Sequence, residues 1–101
     1  MEIRNDPEHR RYVVEVDGEV VGKAVYERRD DRVVFTHTEI DDSLEGQGVG
    51  SKLASFALED VRAQGGKVVP LCPFIARYIE RHDQYADLVD TALADELRAS
   101  P

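Results

Sequence analysis

The sequence predicts a mixed α+β fold, an antiparallel meander followed by a β-α-β crossover, and three observations point to it. Residues 11–40 run in short alternating apolar and polar stretches separated by polar turns, the pattern of half-buried strands. From residue 49 the period changes to 3.6, with Val49, Leu53, Phe56, Ala57 and Val61 on one side and Lys52, Ser55, Glu59 and Arg62 on the other. A short, nearly continuous apolar run at 67–71 then reads as a strand buried on both faces. Strand, helix and strand in that order require a right-handed crossover, which adds a parallel neighbour to the meander.

Residues 3–10 open with a short edge strand that Asp6-Pro7-Glu8 turns back. Across 11–16, Tyr12, Val14 and Val16 face one way and Arg11, Val13 and Glu15 the other. Asp17-Gly18 is the strongest hairpin signal in the chain. Residues 19–28 form the partner strand, with Val20, Gly22, Ala24 and Tyr26 on one face and Gly22 marking a bulge or a close backbone approach. Arg29-Asp30-Asp31 turns the chain into a β-branched, aromatic-rich strand over 32–40. The long helix spans 47–64 and stops at Gly65-Gly66. Cys72-Pro73 ends the buried strand. Phe74, Ile75, Tyr78 and Ile79 give a second amphipathic helix with Pro73 in its first turn. His82-Asp83-Gln84-Tyr85 is a break, residues 86–97 form a last helix, and the tail from Arg98 to Pro101 is expected to fray.

With 101 residues and no internal repeat or linker, one domain with one core is expected. A formal charge of −8 argues against non-specific nucleic-acid binding, which needs basic surface. No apolar run approaches the roughly 20 residues of a membrane span, and the N-terminus is too polar for a signal peptide. The single cysteine allows no intramolecular disulfide, so a reducing cytoplasm is the expected location.

Glu45-Gly46-Gln47-Gly48-Val49-Gly50 stands between strand and long helix. Glycine lets backbone N–H groups approach a ligand with no Cβ in the way. A helix N-terminus adds unpaired N–H groups and the positive end of the dipole, a combination suited to phosphate. The plain alternative is a turn. The loop is not a P-loop, because the Gly-Lys-Ser/Thr ending is absent, and it fits the dinucleotide fingerprint poorly.

Taken with the order of elements, this loop resembles that of the GNAT superfamily of acyl-CoA-dependent N-acetyltransferases, Arg/Gln-x-x-Gly-x-Gly/Ala after a strand ending in an aliphatic residue. Ile40 would be that residue, and Glu45 is the departure, its carboxylate expected to point away from a pyrophosphate. Phe35-Thr36-His37-Thr38-Glu39-Ile40, the glycines, and Cys72-Pro73-Phe74 with Tyr78 and His82 are similar to the short YjdJ-type branch, over approximately residues 10–90. The resemblance implies a compact GNAT-like fold and acetyl-CoA or coenzyme A as co-substrate, with no metal. It places the pyrophosphate on the loop of Gly46, Gln47, Gly48, Val49, Gly50 and Ser51. The strand edge from Thr38 to Ile40 would pair with the pantetheine amides. The usual helical pair between the first two strands is missing, and the Asp17-Gly18 hairpin is expected in its place. The acceptor site would then be open, or completed by the partner in a homodimer.

Four residues carry the expected chemistry. Cys72, between a strand end and a helix N-terminus, is placed for a thiolate nucleophile that forms an S-acetyl intermediate, against the alternative of a buried core cysteine. His37 and Glu39, two apart on one strand, share a face, and either would take the proton of an attacking amine. Their alternatives are a hydrogen-bonded core histidine and a partner for arginine. Tyr78 would protonate the departing CoA thiolate, or simply pack beside Phe74. His82 and Asp83 lack further ligands at metal spacing, so zinc is rejected. The carboxylates of Glu39, Asp41, Asp42 and Glu45 would attract a cationic acceptor or merely form a solvated face.

The function expected is therefore acetyl transfer to a small-molecule or peptide amine, with no nucleic-acid or membrane partner. A non-catalytic acyl-CoA sensor is the alternative, and a thiol redox protein a weaker one.

Overall fold

The structure, a computed structural model, describes residues 1–44 and 46–99. One sheet holds β1 (Glu2–Asp6), β2 (Arg11–Val16), β3 (Glu19–Arg29), β4 (Arg32–Ile40) and β5 (Lys67–Pro70), side by side in chain order. The first four are antiparallel, and β5 lies parallel to β4 after the crossover through α1 (Val49–Ala63). Helix α2 (Pro73–Arg81) follows, and α3 (Thr91–Ala99) closes the described chain. Among the described residues no helix is long and apolar enough to cross a membrane.

The main core lies between one sheet face and helices α1 and α2, with Tyr12, Phe35, Leu53, Leu58 and Ile75 fully buried. Each such side chain contributes about 1.5–3 kcal/mol by leaving water. On the opposite face α3 packs on Val34, Val69 and Leu71 through Ala94, Leu93 and Leu97. Helix α1 is turned slightly from its expected orientation. Ala54 and Leu58 are buried while Phe56 is 39% exposed, its ring meeting Tyr12 edge-on at 6.2 Å. The Tyr12 hydroxyl donates to Asp60 at 2.6 Å and ties β2 to α1. Burial, and then Asp60, push this phenol well above its ordinary range, so it stays a donor.

Two bulges reset the strand faces. Val14 pairs with Gly22 and Glu15 with Val20, which leaves Val21 as the extra residue. Val21 packs on the core and Val20 is 42% exposed, the reverse of strict alternation. Gly22 does mark a close approach, since a Cβ there would lie 2.8 Å from Ile40 Cδ1. In β4, Val25 pairs with His37 and Tyr26 with Phe35, so Thr36 is extra. Beyond it Thr38 and Ile40 return to the helix face, and His37 and Glu39 pass to the other.

The connection between the first two strands is the 3-10 turn Pro7–His9. A helical insertion would belong there, not at the Asp17-Gly18 hairpin joining β2 to β3. The expected helix over 86–97 is also revised. Asp83–Leu88 is a 3-10 segment, Val89 bridges in parallel to Val68, and α3 begins only at Thr91. The Asp90 carboxylate starts α3 by accepting the Leu93 amide at 2.9 Å and also binds Arg32 at 2.8 Å. Arg98, expected in a loose tail, lies within α3 and donates to the Pro70 carbonyl at 3.0 Å.

The Leu93 amide, and then Arg32, hold the Asp90 carboxyl below its usual range. A lowered carboxylate adds stability that is complete above about pH 4 and disappears as pH falls through the lowered value. Asp90→Asn should accordingly lose less stability than the parent when urea melts are compared between about pH 6 and about pH 3.

Candidate functional site

The site begins where β4 and β5 part. Their pairing runs from Arg32 opposite Lys67 to Phe35 opposite Pro70. The Cys72 amide then donates to the Phe35 carbonyl at 2.8 Å, and the chain leaves the sheet for α2. β4 continues to Ile40 with no strand on that side among the described residues, so its edge from His37 onward offers free main-chain groups. A cleft of about 370 Å³ opens between this edge and the start of α1, lined by Thr38, Ile40, Leu44, Gly46, Gly48, Val49, Gly50, Ser51 and Phe74.

Its far wall is a helix start without a side-chain cap. Gly48 is the N-cap at φ 74°, and among the described residues no side chain caps α1. The first-turn N–H groups have no intrahelical acceptor and sit at the positive end of the dipole. A Cβ built on Gly46 or Gly48 meets nothing within 4 Å, so both glycines border open space. Gly50 differs: its Cβ would lie 2.7 Å from Phe74 Cζ, so glycine lets the α2 start close over α1. Gln47 builds the loop, donating from its backbone to Leu44 and from its side chain to the Ser43 carbonyl at 3.3 Å. Glu45, with its expected outward carboxylate, lies outside the described residues.

Cys72 lies behind Thr38, which lines the cleft. It is 3% exposed, is the N-cap residue of α2, and has its Sγ 3.2 Å from the Thr38 hydroxyl. Thr38 is aimed there by the Thr36 bulge. Tyr78 is half-buried, stacked on His82 at 3.9 Å and 15°. The His82 Nδ1–H donates to the Tyr78 carbonyl at 2.7 Å, which fixes that stack. The pair lines a neighbouring cleft of about 360 Å³ with Phe74, Arg77 and Arg81.

His37 and Glu39 meet each other rather than Cys72. Neither is buried, so the core-histidine alternative falls: His37 Nε2 lies 3.0 Å from Glu39, and Lys23 Nζ lies 3.4 Å from the same carboxylate. His37, and then Lys23, hold Glu39 below its usual range, so it is ionised at neutral pH and only weakly basic. An imidazole nitrogen can take a proton, so His37 beside the Glu39 carboxylate is the candidate proton acceptor of the pair. Both stand on the open sheet face. There a groove of about 830 Å³ carries Glu39, Asp41 and Asp42 opposite Arg11 and Lys23.

Chemically, the arrangement joins an amide-lined anion cradle and a free strand edge in one cleft, with a thiol behind its Thr38 wall. Sequence reasoning placed Phe74 on the buried side of α2, but it is 40% exposed and lies over Gly50. It also passed over Arg77 and Arg81, whose i,i+4 spacing beside Tyr78 was the available signal.

The comparisons agree with this geometry. The family described as GCN5-related N-acetyl-transferase matches residues 11–88. The solution structure of a GCN5-like protein from Staphylococcus aureus superposes with a TM-score of 0.68 at 27% identity, covering 87% of this chain and 86% of that one. IAA acetyltransferase from Bacillus cereus ATCC 14579 gives a TM-score of 0.51 at 27% identity, covering 59% of this chain and 41% of that one. No curated protein matches. Five strands in mixed order, the glycine-loop helix start and the match over 11–88 agree with the resemblance read from the sequence: the chain is an N-acetyltransferase of the GCN5-related family.

Proposed function

We propose that the protein transfers the acetyl group of acetyl-CoA to an amine, with Cys72 as the intermediate carrier. The observation that carries this reading is the parting of β4 and β5 beyond Phe35, which opens a cleft beside the glycine loop whose Thr38 wall touches Cys72. The amides of Gly46, Gly48, Val49 and Gly50, with Gln47 shaping the loop and Ser51 beside it, would hold the pyrophosphate. The edge at Thr38 and Ile40 would bind the pantetheine amides as an added strand. Neutral amides suffice for the pyrophosphate because they act at a helix N-terminus.

The co-substrate supplies an activated thioester. The Cys72 thiolate attacks its carbonyl carbon, a new C–S bond forms, and the bond to the CoA sulfur breaks. The departing thiolate takes a proton, for which Tyr78 is the candidate donor. Thr38, 3.2 Å from Sγ, orients the thiol. An amine passing from the open groove around the free β4 edge then attacks the acetyl-cysteine, forms the C–N bond and releases the Cys72 thiolate. Its surplus proton passes to His37, backed by Glu39, through water around the β4 edge, because both side chains stand on the other sheet face. With only a 3-10 turn between the first two strands, no helix of that connection covers the groove. Carboxylates at its rim favour small-molecule or peptide amines that are cationic. A reducing compartment such as the cytoplasm would keep Cys72 a thiol.

Release of free CoA from acetyl-CoA, followed across a panel of mono-, di- and polyamines, lysine and peptides, tests the activity. Amine-dependent release with the acetylated product identified by mass is the expected result. CoA binding without acetylation of any amine would contradict it and leave a binding protein.

A further inference from the structure

We infer that Arg77 and Arg81 form a second anion subsite, which takes the phosphate monoester on the ribose of coenzyme A; this rests on the CoA reading above. The cleft they line shares Ser51 and Phe74 with the glycine-loop cleft, so one extended ligand can reach both. The two arginines are one turn apart on α2 and so lie on one side of it.

Several other arginines are already paired. Arg4, Arg11, Arg32 and Arg62 are each engaged by a carboxylate. Among the described residues, Arg77 and Arg81 have no ion pair or side-chain hydrogen bond, and no carboxylate lines their cleft. In a chain of formal charge −8, two such guanidinium groups in one cleft leave a local positive site. Phe74, exposed at the junction, and the stacked rings of Tyr78 and His82 offer flat apolar surface for a purine.

The chemistry divides accordingly. A pyrophosphate can be held by neutral amides at a helix start, and the glycine loop offers these. A phosphate monoester carries about −1.5 to −2 charges at neutral pH and is best matched by the planar, two-pronged guanidinium. Removal of that phosphate gives 3′-dephospho-CoA, with pyrophosphate, pantetheine and adenine unchanged.

Titration calorimetry in reducing buffer, with CoA and 3′-dephospho-CoA as probes, tests the assignment. The wild-type protein should bind CoA about tenfold more tightly or better. The gap should widen as ionic strength falls, because the arginines are exposed. In the Arg77→Gln/Arg81→Gln protein the gap should close, with the affinity for 3′-dephospho-CoA retained. Equal binding of the two probes by the wild type overturns the subsite and leaves the glycine-loop reading standing. A gap that survives in the double variant overturns the role of these arginines. Failure of both probes to bind the wild type overturns the CoA reading and the subsite together.

Discussion

Cys72→Ser should lower amine acetylation by about 10⁴-fold or more and abolish acetyl labelling of the protein, while CoA binding is retained. A serine hydroxyl is a weak nucleophile without an adjacent base, whereas a thiolate forms readily enough to attack a thioester at neutral pH. Serine is slightly smaller, so the buried site accepts it, and its hydroxyl can still meet Thr38. The cradle is backbone, so binding is untouched. In the wild type, acetyl-CoA alone should add one acetyl mass at Cys72, sensitive to hydroxylamine and discharged by a competent amine. Its rate should rise with pH as the thiolate fraction grows. Amine transfer by Cys72→Ala at near the wild-type rate would sink the covalent route. The amine would then attack the thioester directly, with the family assignment intact.

The second large effect is expected at Gly48. CoA at a hundred times its dissociation constant adds about 2.7 kcal/mol to folding stability, a melting shift of roughly 10 °C or more in a chain this size. Gly48→Val should remove that shift. At φ 74° a β-branched residue is strained, which lowers the unliganded melting point somewhat. The larger effect comes from the Cβ itself. It meets no protein atom, so the valine side chain enters the open cleft that the loop lines. A valine protein that melts lower yet keeps its full CoA-dependent shift would separate loop strain from binding and remove this cradle from the site.

Much of the fold was legible because its signals are local. Asp17-Gly18 fixes a hairpin, the change of period at residue 49 marks the crossover helix, and Gly65-Gly66 stops it. What escaped depends on contacts between elements. A period-2 count cannot register an inserted residue, so the bulges at Val21 and Thr36 were invisible. The second has the greater consequence, since it sends Thr38 towards Cys72 and turns His37 and Glu39 away. The shared face of His37 and Glu39 was readable from their spacing, but which face was not. Helix α1 shows the same limit: Phe56 and Leu58 flank one stripe, and only the position of the sheet decides which is covered. The C-terminal helix starts late because Val89 is drawn to Val68 and Asp90 caps the next turn, neither of which periodicity reports. The glycine cradle was readable as a motif. Phe74 over Gly50 and the two arginines needed the packing of α2 on α1.

The most direct test of the central claim, that CoA lies between the parted β4 edge and the start of α1, is a titration of backbone amide resonances in ¹⁵N-labelled protein with CoA. The largest changes are expected at Thr38, Glu39 and Ile40 and at the amides from Gly46 to Ser51, with smaller ones on β1 and α3. Saturable binding that leaves those amides unmoved, and shifts instead the strand ends around Lys23 and Asp42, would contradict it.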